Sequence, residues 1–116
     1  MLEINMEFRK GILFVRLRGV LDRLTIKKLN TEVTELIKDN GIKNIVFNVD
    51  ELNFIDTKGV NSLLYNYELC KTNDGEVMLC GINNPYVRNE INNSKILNYM
   101  CEVSDELNAI KLIGVW

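Results

Sequence analysis

L-E-I-N-M-E-F (Leu2–Phe8), R-K-G (Arg9–Gly11) and I-L-F-V-R-L-R (Ile12–Arg18) are the residues on which the reading of the fold turns. The first run alternates strictly between apolar and polar side chains, the pattern of a strand with one buried face. The last is richer in apolar residues and reads as a second, more deeply buried strand. Only Arg9-Lys10-Gly11 separates them, too short for a helical crossover, so the two must pair as an antiparallel hairpin.

Downstream of the hairpin the period changes. Gly19-Val20-Leu21-Asp22 breaks the second strand. From Thr25 the apolar residues Ile26, Leu29, Val33, Leu36 and Ile37 keep helical spacing, and Asn40-Gly41 supplies residues that tolerate a left-handed helix end. Ile45–Val49 (I-V-F-N-V) is a short apolar run between helical segments, as expected of a strand covered on both faces. Asp50–Asp56 reads as a loop. A helix follows with Val60, Leu63, Leu64 and Tyr67 on one face, and Thr72-Asn73-Asp74-Gly75 closes it. Val77–Cys80 is a further buried strand, and Asn84-Pro85 opens a short helix that Asn92-Asn93-Ser94 interrupts. Residues Tyr99–Val103 form a last strand, and Ser104-Asp105-Glu106 starts a final helix through Leu107, Ile110 and Leu112, with acids at its positive end. The order β-β-α-β-α-β-α-β-α predicts an α/β fold: a mixed, mostly parallel sheet opened by an antiparallel hairpin, with about four helices.

Composition narrows the function. At 116 residues, 47% apolar and 26% charged, the chain is expected to form one domain over residues 1–116. With 14 basic and 16 acidic residues the formal net charge is −2, and Arg9, Lys10, Arg16, Arg18, Lys27 and Lys28 are interleaved with apolar residues, which argues against a nucleic-acid binder. Histidine is absent, which removes Ser-His-Asp and Cys-His nucleophile systems and imidazole metal sites. Cys70, Cys80 and Cys101 contain no Cys-x-x-Cys pair and read as buried small hydrophobes in a reducing compartment. Tyr65, Tyr67, Tyr86 and Tyr99 read as core or core-edge residues. Asp50, Glu51 and Asp56 make a carboxylate cluster without a second acidic site, so neither metal nor cofactor is expected. No run is long and apolar enough for a membrane span, and the charged N-terminus does not fit a signal peptide, which makes the cytoplasm the expected location.

Leu52-Asn53-Phe54-Ile55-Asp56-Thr57-Lys58-Gly59-Val60 is the segment richest in chemical information. It sets a hydroxyl, Thr57, at the start of a helix, where free backbone N–H groups and partial positive charge favour an anion. Lys58 adds a cation, Asp56 an opposing charge, and Gly59 a residue of low helix propensity. The plain alternative is that Asp56 or Thr57 simply caps the helix.

Together with the element order, two motifs give this chain a resemblance to the STAS-domain anti-sigma factor antagonists, small bacterial regulators of sporulation and stress sigma factors. These are I-V-F-N-V-D-E-L-N-F-I-D-T-K-G (Ile45–Gly59) and the G-x-L-D-x-x-T pattern of Gly19, Leu21, Asp22 and Thr25. The likeness spans essentially the whole chain and is nearest the sporulation branch. It implies the STAS fold and a non-enzymatic switch. Unphosphorylated antagonist binds an anti-sigma factor with kinase activity and so frees a sigma factor; phosphorylation at Thr57 ends binding, and a phosphatase would reset it. By the same resemblance Asp22, Arg23, Thr25, Asp56, Thr57, Lys58 and Asn61 form the partner surface, on a chain expected to be a monomer or weak dimer. The chain departs from the usual pattern with Thr rather than Ser at 57, Lys58 where Ser or Thr is common, Asn61 where a small residue is common, and Lys95 at a usual loop glycine. A structural STAS module in a larger assembly and a non-phosphorylated divergent member stay open as alternatives. A receiver-like or flavodoxin-like domain fits poorly, because the chain opens with a hairpin and carries no glycine-rich phosphate cradle.

Overall fold

The computed structural model describes residues 1–114. Strand β1 (Leu2–Arg9) and strand β2 (Ile12–Leu21) form the expected hairpin, closed by Lys10 and Gly11 at φ 54° and 80°. Positive φ at both central positions is the turn geometry that matches strand twist. Helix α1 follows as one run, α-helical over Ile26–Leu29, π-helical over Asn30–Thr34 and α-helical again over Glu35–Asn40, ending on left-handed Gly41. Then come β3 (Ile45–Ile55), α2 (Thr57–Thr72), β4 (Val77–Cys80), α3 (Pro85–Asn93), a 3-10 turn at Ile96–Asn98, β5 (Cys101–Val103) and α4 (Glu106–Ile113).

The strands lie side by side in chain order, β1-β2-β3-β4-β5, antiparallel only between β1 and β2. A parallel sheet that advances in one direction through right-handed crossovers must put its connecting helices on one face. That is where α1, α2 and α3 lie: Leu29, Val33 and Ile37, then Val60, Leu63 and Cys70, then Val87 and Ile91 pack against Val15, Leu17, Phe47, Val49 and Leu79. On the other face, among the described residues, α4 alone covers a smaller core of Ile12, Phe14, Val46, Met78, Cys80 and Val103 through Ala109, Ile110 and Ile113.

Several expectations are corrected. Strand β2 does not stop at Gly19 but runs to Leu21, and β3 takes in most of the segment read as a loop. The two extensions pair with each other (Arg18 with Glu51, Gly19 with Leu52, Leu21 with Ile55) across two register shifts, which is how a polar, irregular stretch is kept in the ladder. Gly19, at φ 101°, has no room for a side chain, because a Cβ would stand 2.3 Å from the Met1 carbonyl oxygen. Cys70 and Cys80 are buried, and burial raises their thiols to about 11 and about 12; carboxylates of Glu106, Asp105 and Asp50 add to the effect at Cys80. Cys101 is exposed, because three-residue β5 is the sheet's outer strand. Of the tyrosines only Tyr67 sits at the core edge. Tyr65, Tyr86 and Tyr99 are exposed, since α2 turns Leu63, Asn66 and Cys70 inward and Tyr86 stands at the first turn of α3.

Candidate functional site

Among the described residues all four helices begin at the carboxyl ends of the parallel strands, so one rim of the sheet collects four helix N-termini. In open α/β sheets this is the rim where ligands and partners meet the fold. Within it, the β2–α1 loop and the β3–α2 junction lie side by side for a simple reason. Leu21 and Ile55 are the last paired residues of the β2–β3 ladder, so the residues that follow, Asp22 and Asp56, leave the sheet together.

Each of these acids is occupied within the chain. Asp22 Oδ1 accepts hydrogen bonds from the backbone N–H groups of Leu24 and Thr25, at 2.9 and 3.1 Å. Thr25 ties the loop from the other side: its hydroxyl donates to the Val20 carbonyl at 2.9 Å and accepts from the Asp22 N–H at 2.9 Å. Asp56 is the N-cap of α2. Its Oδ1 accepts from the Gly59 N–H at 2.8 Å, while Oδ2 accepts from the Arg23 N–H at 3.2 Å. One carboxylate therefore fixes both the start of α2 and the neighbouring loop. The bland capping reading holds for Asp56, and it leaves Thr57 free of that task.

Gly59, unfavourable inside a helix, is required here. A Cβ at that position would come within 2.3 Å of the Leu21 carbonyl oxygen and 2.8 Å of Ile55 Cγ1, so only glycine lets α2 approach the end of β2. The approach leaves Thr57 and Lys58 exposed in the first turn, with Arg23 exposed across from them and Asn61 one turn further on. Thr57 and Asn61 also line a groove of about 320 Å³ between α2 and the end of α3, with Leu64 beside them and Glu90, Asn93 and Lys95 opposite.

The structure thus gathers Asp22, Arg23, Thr25, Asp56, Thr57, Lys58 and Asn61 at one rim but divides them by duty. Thr25 and the two acids hold the backbone, whereas Arg23, Thr57, Lys58 and Asn61 present side chains to solvent. Sequence reading missed two groups. Leu24 and Phe54 are 75% and 46% exposed at the same end of β2 and β3, apolar surface beside polar groups. Glu90, Asn93 and Lys95 reach the groove from elements more than thirty residues away, so spacing could not find them. The one signal was Lys95 standing where a glycine was expected. Among the described residues no three His, Cys, Asp or Glu side chains converge as a metal-donor set.

Comparison with known proteins accords with this geometry. Residues 3–110 match the family model described as the STAS domain. The chain is 32% identical over 114 residues to an anti-sigma F factor antagonist of Paenibacillus polymyxa, covering 98% of this chain and 97% of that one. An anti-sigma factor antagonist from Mycobacterium paratuberculosis superposes with a TM-score of 0.83 at 18% identity, over 98% of this chain and 95% of that one. The phosphorylated form of the Bacillus cell fate determinant SpoIIAA does so with a TM-score of 0.72 at 20% identity, over 95% and 99%. At these identities the two structures speak for the fold alone.

Proposed function

The chain belongs to the STAS-domain family, and from that premise we propose that it is an anti-sigma factor antagonist that docks an anti-sigma factor through the β2–β3 rim and is switched off by phosphorylation of Thr57. The observation that carries this reading is Thr57, an exposed residue in the first turn of α2, beside a neighbour, Asp56, whose two oxygens are both engaged elsewhere. The name of the Paenibacillus relative, matched over nearly its whole length, supports the class of partner.

The chemistry follows from the rim. Exposed Leu24 and Phe54 supply apolar contact, and Arg23, Lys58 and Asn61 supply polar contact around Thr57, the mixture expected at the centre of a transient interface. A phosphoryl group on Thr57 would bring a charge of about −1.5 to −2 and three acceptor oxygens. The helix start and Lys58 make that dianion tolerable within the free chain. A partner that must cover the same spot would have to desolvate it, beside Asp56. Binding is thus opposed without any change of fold. The partner is an anti-sigma factor with kinase activity, the sigma factor is freed indirectly, a phosphatase restores the hydroxyl, and the chain itself performs no catalysis.

The test is incubation with ATP and the anti-sigma kinase encoded in the same genome, followed by mass spectrometry. Phosphate on Thr57 is the expected result, and its absence counts against the switch. In a binding titration Thr57→Asp should weaken the complex by roughly tenfold or more relative to Thr57→Ala. Equal binding by the two variants sinks the mechanism.

A further inference from the structure

The two edges of the sheet are built differently. Strand β5 is three residues long, one of the common ways of blunting an edge. Strand β1 runs for eight residues with unbroken register against β2, and it holds neither a proline nor a bulge. Its hairpin closes at Arg9 and Ile12 around a two-residue turn, so odd-numbered residues of β1 exchange hydrogen bonds with β2. The bond from the Val20 N–H to the Met1 carbonyl, 2.9 Å, continues that series. The N–H and C=O groups of Ile4, Met6 and Phe8 therefore point away from the sheet. Among the described residues only the Leu2 carbonyl at this edge is covered, by Lys28 Nζ at 2.8 Å.

We propose that this edge receives a second copy of the chain, antiparallel and centred on Met6, so that Glu3 of each copy faces Arg9 of the other. The side chains select the register. Centring on Met6 sets Ile4 opposite Phe8 and Asn5 opposite Glu7, with Glu3 and Arg9 at non-hydrogen-bonded positions where side chains approach most closely. Sliding the centre to Asn5 sets Glu3 against Glu7, and sliding it to Glu7 sets that residue against itself; both place like charges opposite each other. Only the Met6 register turns both charged ends into attractions. It also joins Ile4, Met6 and Phe8 of the two copies into one apolar strip, which accounts for a phenylalanine that is 60% exposed in the single chain. The pairing uses the side of β1 turned away from β2 and β3, so it is independent of the Thr57 reading.

Sedimentation equilibrium of the full chain over a wide concentration range tests the idea. The mass should climb from 13.4 kDa toward twice that value. Glu3→Arg alone, and Arg9→Glu alone, should each weaken association by roughly tenfold or more, because each sets like charges opposite one another twice. The double variant carrying both changes should restore it. Both side chains are at least half exposed, so folding is not at stake, and circular dichroism would verify this. Association indifferent to all three variants overturns the proposal. So does a single-chain mass up to millimolar concentration, in which case the edge belongs to solvent or to a strand of a different protein.

Discussion

One sheet faces two very different neighbours. Against α1, α2 and α3 it presents Val15, Leu17, Phe47, Val49 and Leu79, and the space between is filled almost wholly by apolar side chains. Among the described residues a polar link there is a short chain through the π-helical turn of α1. The Thr34 hydroxyl donates to Asn66 Oδ1 at 2.8 Å, and Asn66 Nδ2 donates to the Ser62 carbonyl at 2.8 Å. Against α4 the same strands present a smaller apolar patch with a charged border. Arg16 forms a bidentate pair with Glu106, both bonds 2.8 Å, and reaches Glu7 and Asn5 as well, while Asn48 donates to Glu106 at 2.8 Å. An eight-residue helix cannot cover the sheet by packing alone, and it is moored at its first residue by charge. The comparison shows the same strands held by bulk on one side and by a few directed bonds on the other.

The widest contrast should come from the two buried phenylalanines. Phe47→Ala on the three-helix face is expected to cost about 3–5 kcal/mol by denaturant unfolding, since the surrounding helices cannot collapse into the space. Phe14→Ala should cost less, because α4 can settle toward the gap. Equal losses would mean that the α4 face is as rigid as the other.

Next in size is the mooring. Arg16→Met should cost about 1–2 kcal/mol, by removing the partner of a carboxylate that is 19% exposed. It should also quicken amide exchange in α4 more than in α2. The pH dependence carries the same signature. The Glu106 carboxyl is held below its usual range chiefly by the Arg16 hydrogen bonds, with burial opposing and Asn48 assisting. Because the folded value is depressed, the stabilisation is complete above the unfolded carboxylate range and is lost as pH falls through the folded value. Unfolding curves at falling pH should therefore show an acid slope that Glu106→Gln flattens.

The smallest effect belongs to the exposed pair of Arg88 on α3 and Glu102 on β5, with side chains 36% and 31% exposed. Glu102→Gln should shift stability by roughly 0.2–1 kcal/mol, and raised salt should erase the difference.

The hairpin, the element order and three of the helix caps were legible because period and capping residues are local signals. Asp56, Asn84 and Asp105 each cap the helix that the sequence assigned to their neighbourhood. The extension of β3 was not legible: Asp50, Glu51 and Asn53 look like loop, and what keeps the stretch in the sheet is the pairing of Glu51, Leu52, Phe54 and Ile55 with β2 residues some thirty positions earlier, while Asp50 and Asn53 fall at the two register shifts. Cys101 and three tyrosines were misjudged for a related cause, since residue type states how much area could be buried but not which strand ends up outermost. At the site, position was readable and duty only in part. Asp56 could be read as a cap, but its second bond, from the Arg23 N–H, and the hold of Asp22 Oδ1 on the Leu24 and Thr25 N–H groups depend on loops that only folding brings into reach.

The double grip of Asp56 carries a mechanical consequence. Gly59 and Arg23 hang from opposite oxygens of one side chain, so the first turn of α2 cannot tilt without tugging the loop beside it. Whatever seats on this shoulder of the molecule meets a stiff platform rather than two wandering segments, and most of the ordering that docking would otherwise demand has been done during folding.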